Sequence, residues 1–92
     1  MGQDAKLREK LGLFLHETRP ELLALHDFWR LNQWRELEQR ADRFRVAAQE
    51  AGAGVLAEIC LDIRRAAAQA PEELGPLIED LFHHFSLLEN GL

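Results

Sequence analysis

The chain has 92 residues, enough for one compact domain and too few for a nucleotide-binding domain joined to a second domain. Hydrophobic residues make up 47% and charged residues 29% of it, which is typical of a globular domain and not of a disordered segment. Its 11 Lys and Arg against 16 Asp and Glu give a net charge of −5. We therefore expect no nucleic-acid partner, because binding to phosphates needs a basic surface.

A single cysteine and short apolar runs exclude further classes of protein. One cysteine cannot form an internal disulfide, and it supplies too few ligands for a cysteine-based zinc site. Apolar runs reach only about four residues, so we expect no membrane span, and the N-terminus lacks the apolar region of a secretory signal. We expect one domain over residues 1–92, in the cytoplasm, with neither a metal nor a cofactor.

The first predicted element is a helix over residues 4–17, because four apolar residues recur there at helical spacing: Leu7, Leu11, Phe14 and Leu15. The stretch Thr18-Arg19-Pro20-Glu21 then has the form of a capping box, with proline at a first-turn position. Two alternatives remain open at this point. Either a new helix begins at Thr18, or one long helix bends there.

Short turns at Asn32-Gln33 and at Gly52-Ala53-Gly54 separate the next helices, and Pro71 begins the last one. Gly75 and Pro76 weaken its first turn and favour a start nearer Pro76. The predicted core stripes of these three helices are, in order, Trp34, Leu37, Ala41, Phe44, Ala48 and Ala51; Val55, Leu56, Ile59, Ile63, Ala66 and Ala70; and Leu74, Leu77, Ile78, Leu81, Phe85 and Leu88. Strand signals are absent, so the sequence predicts an all-α, antiparallel four-helix bundle.

Two segments of the second half carry a family resemblance. The sequence ADRFRV at 41–46, followed by GAGVLAEIC at 52–60, resembles the histidine phosphotransfer (HPt) domain. That family has an Ala-His-x-Leu-Lys-Gly stretch within a helix, then Gly-Ala-x-x-Leu-Ala-x-x-Cys, whose glycine follows the histidine by ten positions; here Gly52 follows Asp42 by ten. The segment FLHETRPELL at 14–23 looks like the family's first long helix, so the resemblance extends over about residues 11–88.

The resemblance implies a bundle whose exposed histidine relays phosphate between receiver-domain aspartates in two-component signalling. This chain departs from the pattern at three positions. Asp42 stands where the family has its phosphoacceptor histidine, and the helix around it contains no histidine. Arg45 replaces the family's lysine, and Val46 replaces a glycine that lets the receiver's loops approach closely. The pattern is that of a degenerate domain, a pseudo-HPt.

We therefore expect a non-enzymatic bacterial signalling module that binds a receiver or histidine-kinase domain without relaying phosphate, and that is a monomer. The expected binding surface lies on the helix that carries Asp42. On it Asp42 acts either as a solvated carboxylate paired with Arg45 or as a fixed negative charge where phosphohistidine would stand. The residues of this surface are Arg35, Glu38, Gln39, Asp42, Arg45, Val46 and Gln49.

Two other functions remain open from the sequence. One is a phosphorelay protein that uses another of the four histidines, His16, His26, His83 and His84. The pairs Glu79/His83 and Asp80/His84 have the spacing of two metal ligands, but such pairs are usually surface contacts. The other is a scaffolding bundle that dimerises through its last helix, at Leu81, Phe82, Phe85 and Leu88. Among the remaining residues, Trp29 and Trp34 are expected to anchor the turn between them, and Cys60 to be a buried apolar residue.

Overall fold

A computed structural model describes the backbone of residues 2–91 and the side chains of residues 5–91. The described chain contains no strand and folds into four helices that pack against one another, as the sequence predicted. Helix α2 packs along α3, α3 along α4, and α1 contacts both α2 and α4. The helices are α1 (Gly2–Arg30), α2 (Trp34–Glu50), α3 (Gly54–Gln69) and α4 (Leu74–Gly91), with a short 3-10 turn at Pro71–Glu73 before α4.

Helix α1 runs without a break through Pro20, so of the two alternatives near Thr18 the single long helix is the one formed. The predicted capping box at Thr18 is wrong. Its hydroxyl donates a 2.6 Å hydrogen bond to the carbonyl oxygen of Phe14, one turn earlier. Pro20 removes one helical hydrogen bond, but Leu15 and Leu22 on either side of it are buried, and this packing holds the helix together. At about 1.5 Å per residue, its 29 residues account for the molecule's longest dimension of 44 Å.

Both turns at the ends of α2 are closed by the same backbone motif. Asn32 and Gly52 have positive φ angles of 59° and 79°, the left-handed conformation that reverses the chain after a helix. The next residue then bonds back five positions, with Gln33 N–H donating to the carbonyl oxygen of Phe28 and Ala53 N–H donating to that of Ala48. These short turns set α1, α2 and α3 antiparallel.

The core confirms most of the predicted stripes. In α2 the buried residues are Leu37, Ala41, Phe44 and Ala48, and in α4 they are Leu74, Ile78, Leu81 and Phe85. In α3 the buried residues are Leu56, Ala57, Cys60, Ile63, Ala66 and Ala67. Val55 was assigned to this stripe wrongly. It is 54% exposed, because it lies one position, and thus about 100° around the helix, from Leu56.

Leu7 is a second residue that the sequence analysis wrongly assigned to the core. It is 61% exposed, whereas the first fully packed residue of α1 is Phe14, about two helical turns later. The helical spacing that linked the two residues is correct, but no part of the described bundle extends far enough to cover Leu7. Its apolar side chain therefore lies at the surface.

Helix α4 begins at Leu74, two residues before the predicted start at Pro76. Pro76 falls in the first turn, where its missing N–H is not needed. Leu81 and Phe85 are 0% and 1% exposed, so they belong to the core of this chain. They are not available for the predicted scaffold dimer, and Phe82 is itself partly buried against that core.

The tryptophans and the cysteine lie where the sequence placed them. Trp29 and Trp34 are partly buried and pack against the core on either side of the α1–α2 turn. A Cβ atom at Gly75 would lie 3.6 Å from Trp29 Cζ2, so α4 approaches this ring closely. Cys60 is fully buried. Among the described helices, none is both long enough and apolar enough to cross a lipid bilayer.

Candidate functional site

The turn between α2 and α3 decides which side chains of the two helices meet. Asp42 on α2 and Arg64 on α3 each lie eleven positions from Ala53, at the centre of that turn. In an antiparallel helix pair with a symmetric turn, residues equally distant from its centre lie side by side. Both residues point outward from the bundle, beside the buried Ala41 and Ile63.

Three guanidinium hydrogen bonds converge on one oxygen of Asp42. Arg45, on the same helix, donates to Oδ1 from Nε at 3.1 Å and from Nη2 at 2.9 Å. Arg64 donates to the same Oδ1 from Nη1 at 3.0 Å, across the gap between α2 and α3. Arg45 Nη1 also donates to Gln49 Oε1 at 3.2 Å. The carboxylate is thus held in one orientation from two helices.

The two arginines also determine the ionisation of Asp42. The hydrogen bonds from Arg45, and then that from Arg64, hold the pKa of the carboxyl below its ordinary value of 3.8, although partial burial opposes them. The side chain is 41% exposed, so water still reaches it. Asp42 therefore presents a permanent negative charge at neutral pH, largely neutralised by its two cationic neighbours.

An open groove of about 660 Å³ lies beside Asp42 on the α2–α3 face. Three of its lining residues are arginines and two are carboxylates, and Arg45 adds a fourth cation at its edge. Within residues 5–91, Arg35 and Arg43 form no ion pair. The groove is lined by Arg35, Glu38, Gln39, Asp42, Arg43 and Arg64.

Four of the seven predicted surface residues line the groove. A fifth, Arg45, lies beside it and is joined to it through its hydrogen bonds to Asp42. Val46 and Gln49 are exposed farther along α2 and do not line the groove. Sequence reasoning missed Arg43 and Arg64. The signal for Arg64 was the equal spacing about Ala53, whereas Arg43 was omitted because it lies about 100° around the helix from Asp42.

The four histidines lie outside this groove and differ in their surroundings. His16 and His83 are exposed. His26 is partly buried, with its ring centroid 5.5 Å from that of Trp29 and 5.7 Å from that of Phe82. His84 Nδ1 lies 2.9 Å from the carbonyl oxygen of Asp80 in its own helix. In the part of the chain that the structure describes, no three His, Cys, Asp or Glu side chains are grouped to hold a metal ion.

Comparisons with known proteins give no relative. No family model, no curated protein and no solved structure matches this chain.

Proposed function

We propose that this protein is a pseudo-HPt module of bacterial two-component signalling, which binds a receiver or histidine-kinase domain in the cytoplasm and relays no phosphate. The observation that carries the proposal is the position of Asp42. It lies mid-helix at the surface of a four-helix bundle, at the position where the resemblance places a phosphoacceptor histidine. Two arginines from two helices hold it there.

The chemistry of Asp42 favours binding over transfer. An HPt domain carries its phosphoryl group on an imidazole nitrogen, and a carboxylate has no such atom. Aspartates that do accept phosphoryl groups rely on a divalent cation held by further carboxylates. The neighbours of Asp42 in the groove are mainly arginines, with Glu38 as the other acidic residue. We therefore assign Asp42 a structural charge and no acceptor role.

The exposed side chain of Val46 supports docking of a receiver in a geometry that differs from that of the HPt family. Val46 is an exposed apolar residue one turn beyond Asp42, where the family has glycine. Its side chain keeps receiver loops farther from the helix and gives them an apolar contact. We expect the module to act as a monomer, because Leu81 and Phe85 are used within its own core.

An NMR titration of the isotope-labelled protein with receiver domains from the same genome tests the proposal. Each receiver is added with and without a phosphoryl mimic on its aspartate. We expect amide shifts to cluster on the α2 face at Arg35, Asp42, Arg45, Val46 and Gln49. If no receiver or kinase domain of the panel shifts these residues, the proposal is wrong.

Two exposed valines provide a matched pair for the same titration. Val46→Gln removes the apolar contact on the proposed face and should weaken receiver binding about fivefold or more, the usual loss at an energetically important interface residue. Val55→Gln makes the same change on α3, outside the proposed face, and should leave the affinity unchanged. Equal effects of the two variants would contradict docking on α2.

A further inference from the structure

The groove is a positively charged site on an acidic protein. Its lining has three guanidinium groups against two carboxylates, whereas the whole chain carries −5. Arg45 adds another cation beside it. The positive field of the groove attracts a negatively charged partner surface, although the protein itself carries a net negative charge.

The cations of the groove fall into two groups. Arg45 and Arg64 are bound to Asp42. Arg35 and Arg43 are exposed and form no ion pair within the described side chains, although Glu38 lines the same groove. Their five N–H donors each are available to a carboxylate from outside the chain, and a guanidinium binds such a group with two parallel hydrogen bonds.

We propose that this groove binds an acidic segment of the partner protein, with Arg35 and Arg43 contacting carboxylates of that segment. Asp42 then acts as an intramolecular competitor, because its carboxylate occupies the donors of Arg45 and Arg64 that the acidic segment would otherwise use. The inference rests on the proposed function only in taking the partner to be a signalling domain. The acidic chemistry follows from the arginines.

A nucleic acid is the other macromolecule that arginines bind. Its backbone carries about one negative charge per 1.7 Å of duplex axis, and a chain with a net charge of −5 repels it outside the groove. A short acidic peptide segment places its charges against the groove alone. The protein partner is therefore favoured, and a DNA duplex becomes an arm of the test.

The test uses an extended peptide of about eight residues rich in Asp and Glu, which spans about 26 Å, and a control peptide with Asn and Gln in their place. The whole labelled protein is titrated with each peptide by NMR at about 10 mM salt, then at about 150 mM, where the Debye length falls from about 30 Å to 8 Å. We expect saturable shifts at the groove with the acidic peptide only, and weaker binding at the higher salt.

Four variants distinguish groove binding from general attraction. Arg35→Gln and Arg43→Gln should each weaken the acidic peptide about two- to fivefold, the usual effect of one exposed ion pair. Arg65→Gln removes an exposed arginine of α3 outside the groove and should change nothing. Asp42→Asn should strengthen binding, because it releases the donors of Arg45 and Arg64.

The outcomes separate this inference from the proposed function. Binding of the neutral peptide with equal affinity, loss of binding in Arg65→Gln to the same degree, or a DNA duplex that the acidic peptide cannot displace overturns the acidic-segment assignment. A receiver affinity that changes neither with salt nor in Arg35→Gln and Arg43→Gln also overturns the acidic-segment assignment. That result leaves the proposed signalling function intact. If the acidic peptide binds at the groove but no receiver or kinase domain binds the protein, the acidic site is supported and the signalling proposal is overturned.

Discussion

Arg64 and Asp42 lie 22 positions apart in the sequence, and Arg64 Nη1 donates a 3.0 Å hydrogen bond to Asp42 Oδ1. This contact joins α2 to α3 outside the core, across the surface at which we place partner binding. It makes Asp42 part of a fixed three-residue arrangement with Arg45, where the sequence alone suggested a carboxylate paired only within its own helix.

A double-mutant cycle of Asp42→Asn and Arg64→Gln should give a coupling energy of about 0.2–1 kcal/mol in the free energy of unfolding. The value is small because the two side chains are about two-fifths exposed and water screens their attraction. Urea denaturation of the four proteins measures it. The matched cycle of Asp42→Asn with Arg65→Gln should give no coupling, and equal coupling in both cycles would contradict the ion pair.

The pH dependence of stability should show the depressed pKa of Asp42. Because the folded-state pKa lies below 3.8, the stabilisation from this carboxylate is complete above about pH 5 and is lost as the pH falls through the folded-state value. The free energy of unfolding of the wild type should therefore fall more steeply below pH 4 than that of Asp42→Asn. In Arg45→Gln the carboxyl pKa, followed by NMR, should rise towards 3.8. Parallel stability profiles of wild type and Asp42→Asn would rule out this contribution.

Removing the Phe85 ring should cost about 3–5 kcal/mol in the free energy of unfolding. The ring is 1% exposed, and its centroid lies 6.4 Å from that of Phe44 on α2, so Phe85→Ala leaves a cavity between two helices. Chemical denaturation measures the loss. Leu87→Ala, at an exposed position two residues away on the same helix, should stay within about 0.5 kcal/mol of the wild type.

The Cys60 thiol should be unreactive in the folded protein. Burial raises its pKa to about 12, so the nucleophilic thiolate is scarce at neutral pH, and the side chain is inaccessible to reagents. Alkylation by iodoacetamide, followed by mass spectrometry, should be slow in buffer and complete in denaturant. Rapid alkylation of the native protein would contradict the buried position of Cys60.

The proposed function predicts that the chain accepts a phosphoryl group only when two positions are changed together. Asp42→His supplies the imidazole nitrogen, and Val46→Gly removes the side chain one turn away, while Arg45 and Arg64 remain to neutralise the phosphoryl group. The double variant, incubated with phosphorylated receivers of the same genome, should gain an acid-labile label that the wild type, Asp42→His and Val46→Gly lack. Failure with every receiver that binds would count against HPt ancestry.

The wild type is the control for the relay alternative in the same assay. Acid-labile label on the unmodified protein would assign transfer to His16, His26, His83 or His84 and would contradict the proposal that no phosphate is relayed. Substitution of each histidine by Gln would then locate the acceptor.

Local sequence patterns were sufficient for the helical class, for the turns at both ends of α2 and for most of the core. The spacing of Leu37, Ala41, Phe44 and Ala48 specified the buried face of α2, because side chains three and four apart share a face of any helix. Gly52 marked the end of that helix, since the reversal there requires a positive φ. The sequence also placed Asp42 outside the core, one position past Ala41.

Packing between helices decided what local patterns left open. Pro20 and Thr18 are compatible with a helix start, and only the burial of Leu15 and Leu22 on either side shows why one helix continues. Leu81, Phe82, Phe85 and Leu88 have the apolar pattern of either a core or a dimer surface, and only the position of α4 in the bundle assigned Leu81 and Phe85 to the core. Val55 and Leu7 show the converse, apolar residues that no neighbouring helix covers.

By itself, then, the sequence determined an all-α chain, its turns, most of its core stripes and the position of Asp42 outside the core, because these depend on the periodicity and conformational preferences of nearby residues. Only the tertiary structure decided that Arg64 binds Asp42 and that Arg35 and Arg43 share a groove with them. Those relationships depend on how far two helices are rotated and shifted against each other. The turn at Ala53 makes Asp42 and Arg64 level with each other. The rotation of each helix that brings their side chains together is set by the fit of side chains between the helices, which residues close in sequence do not encode.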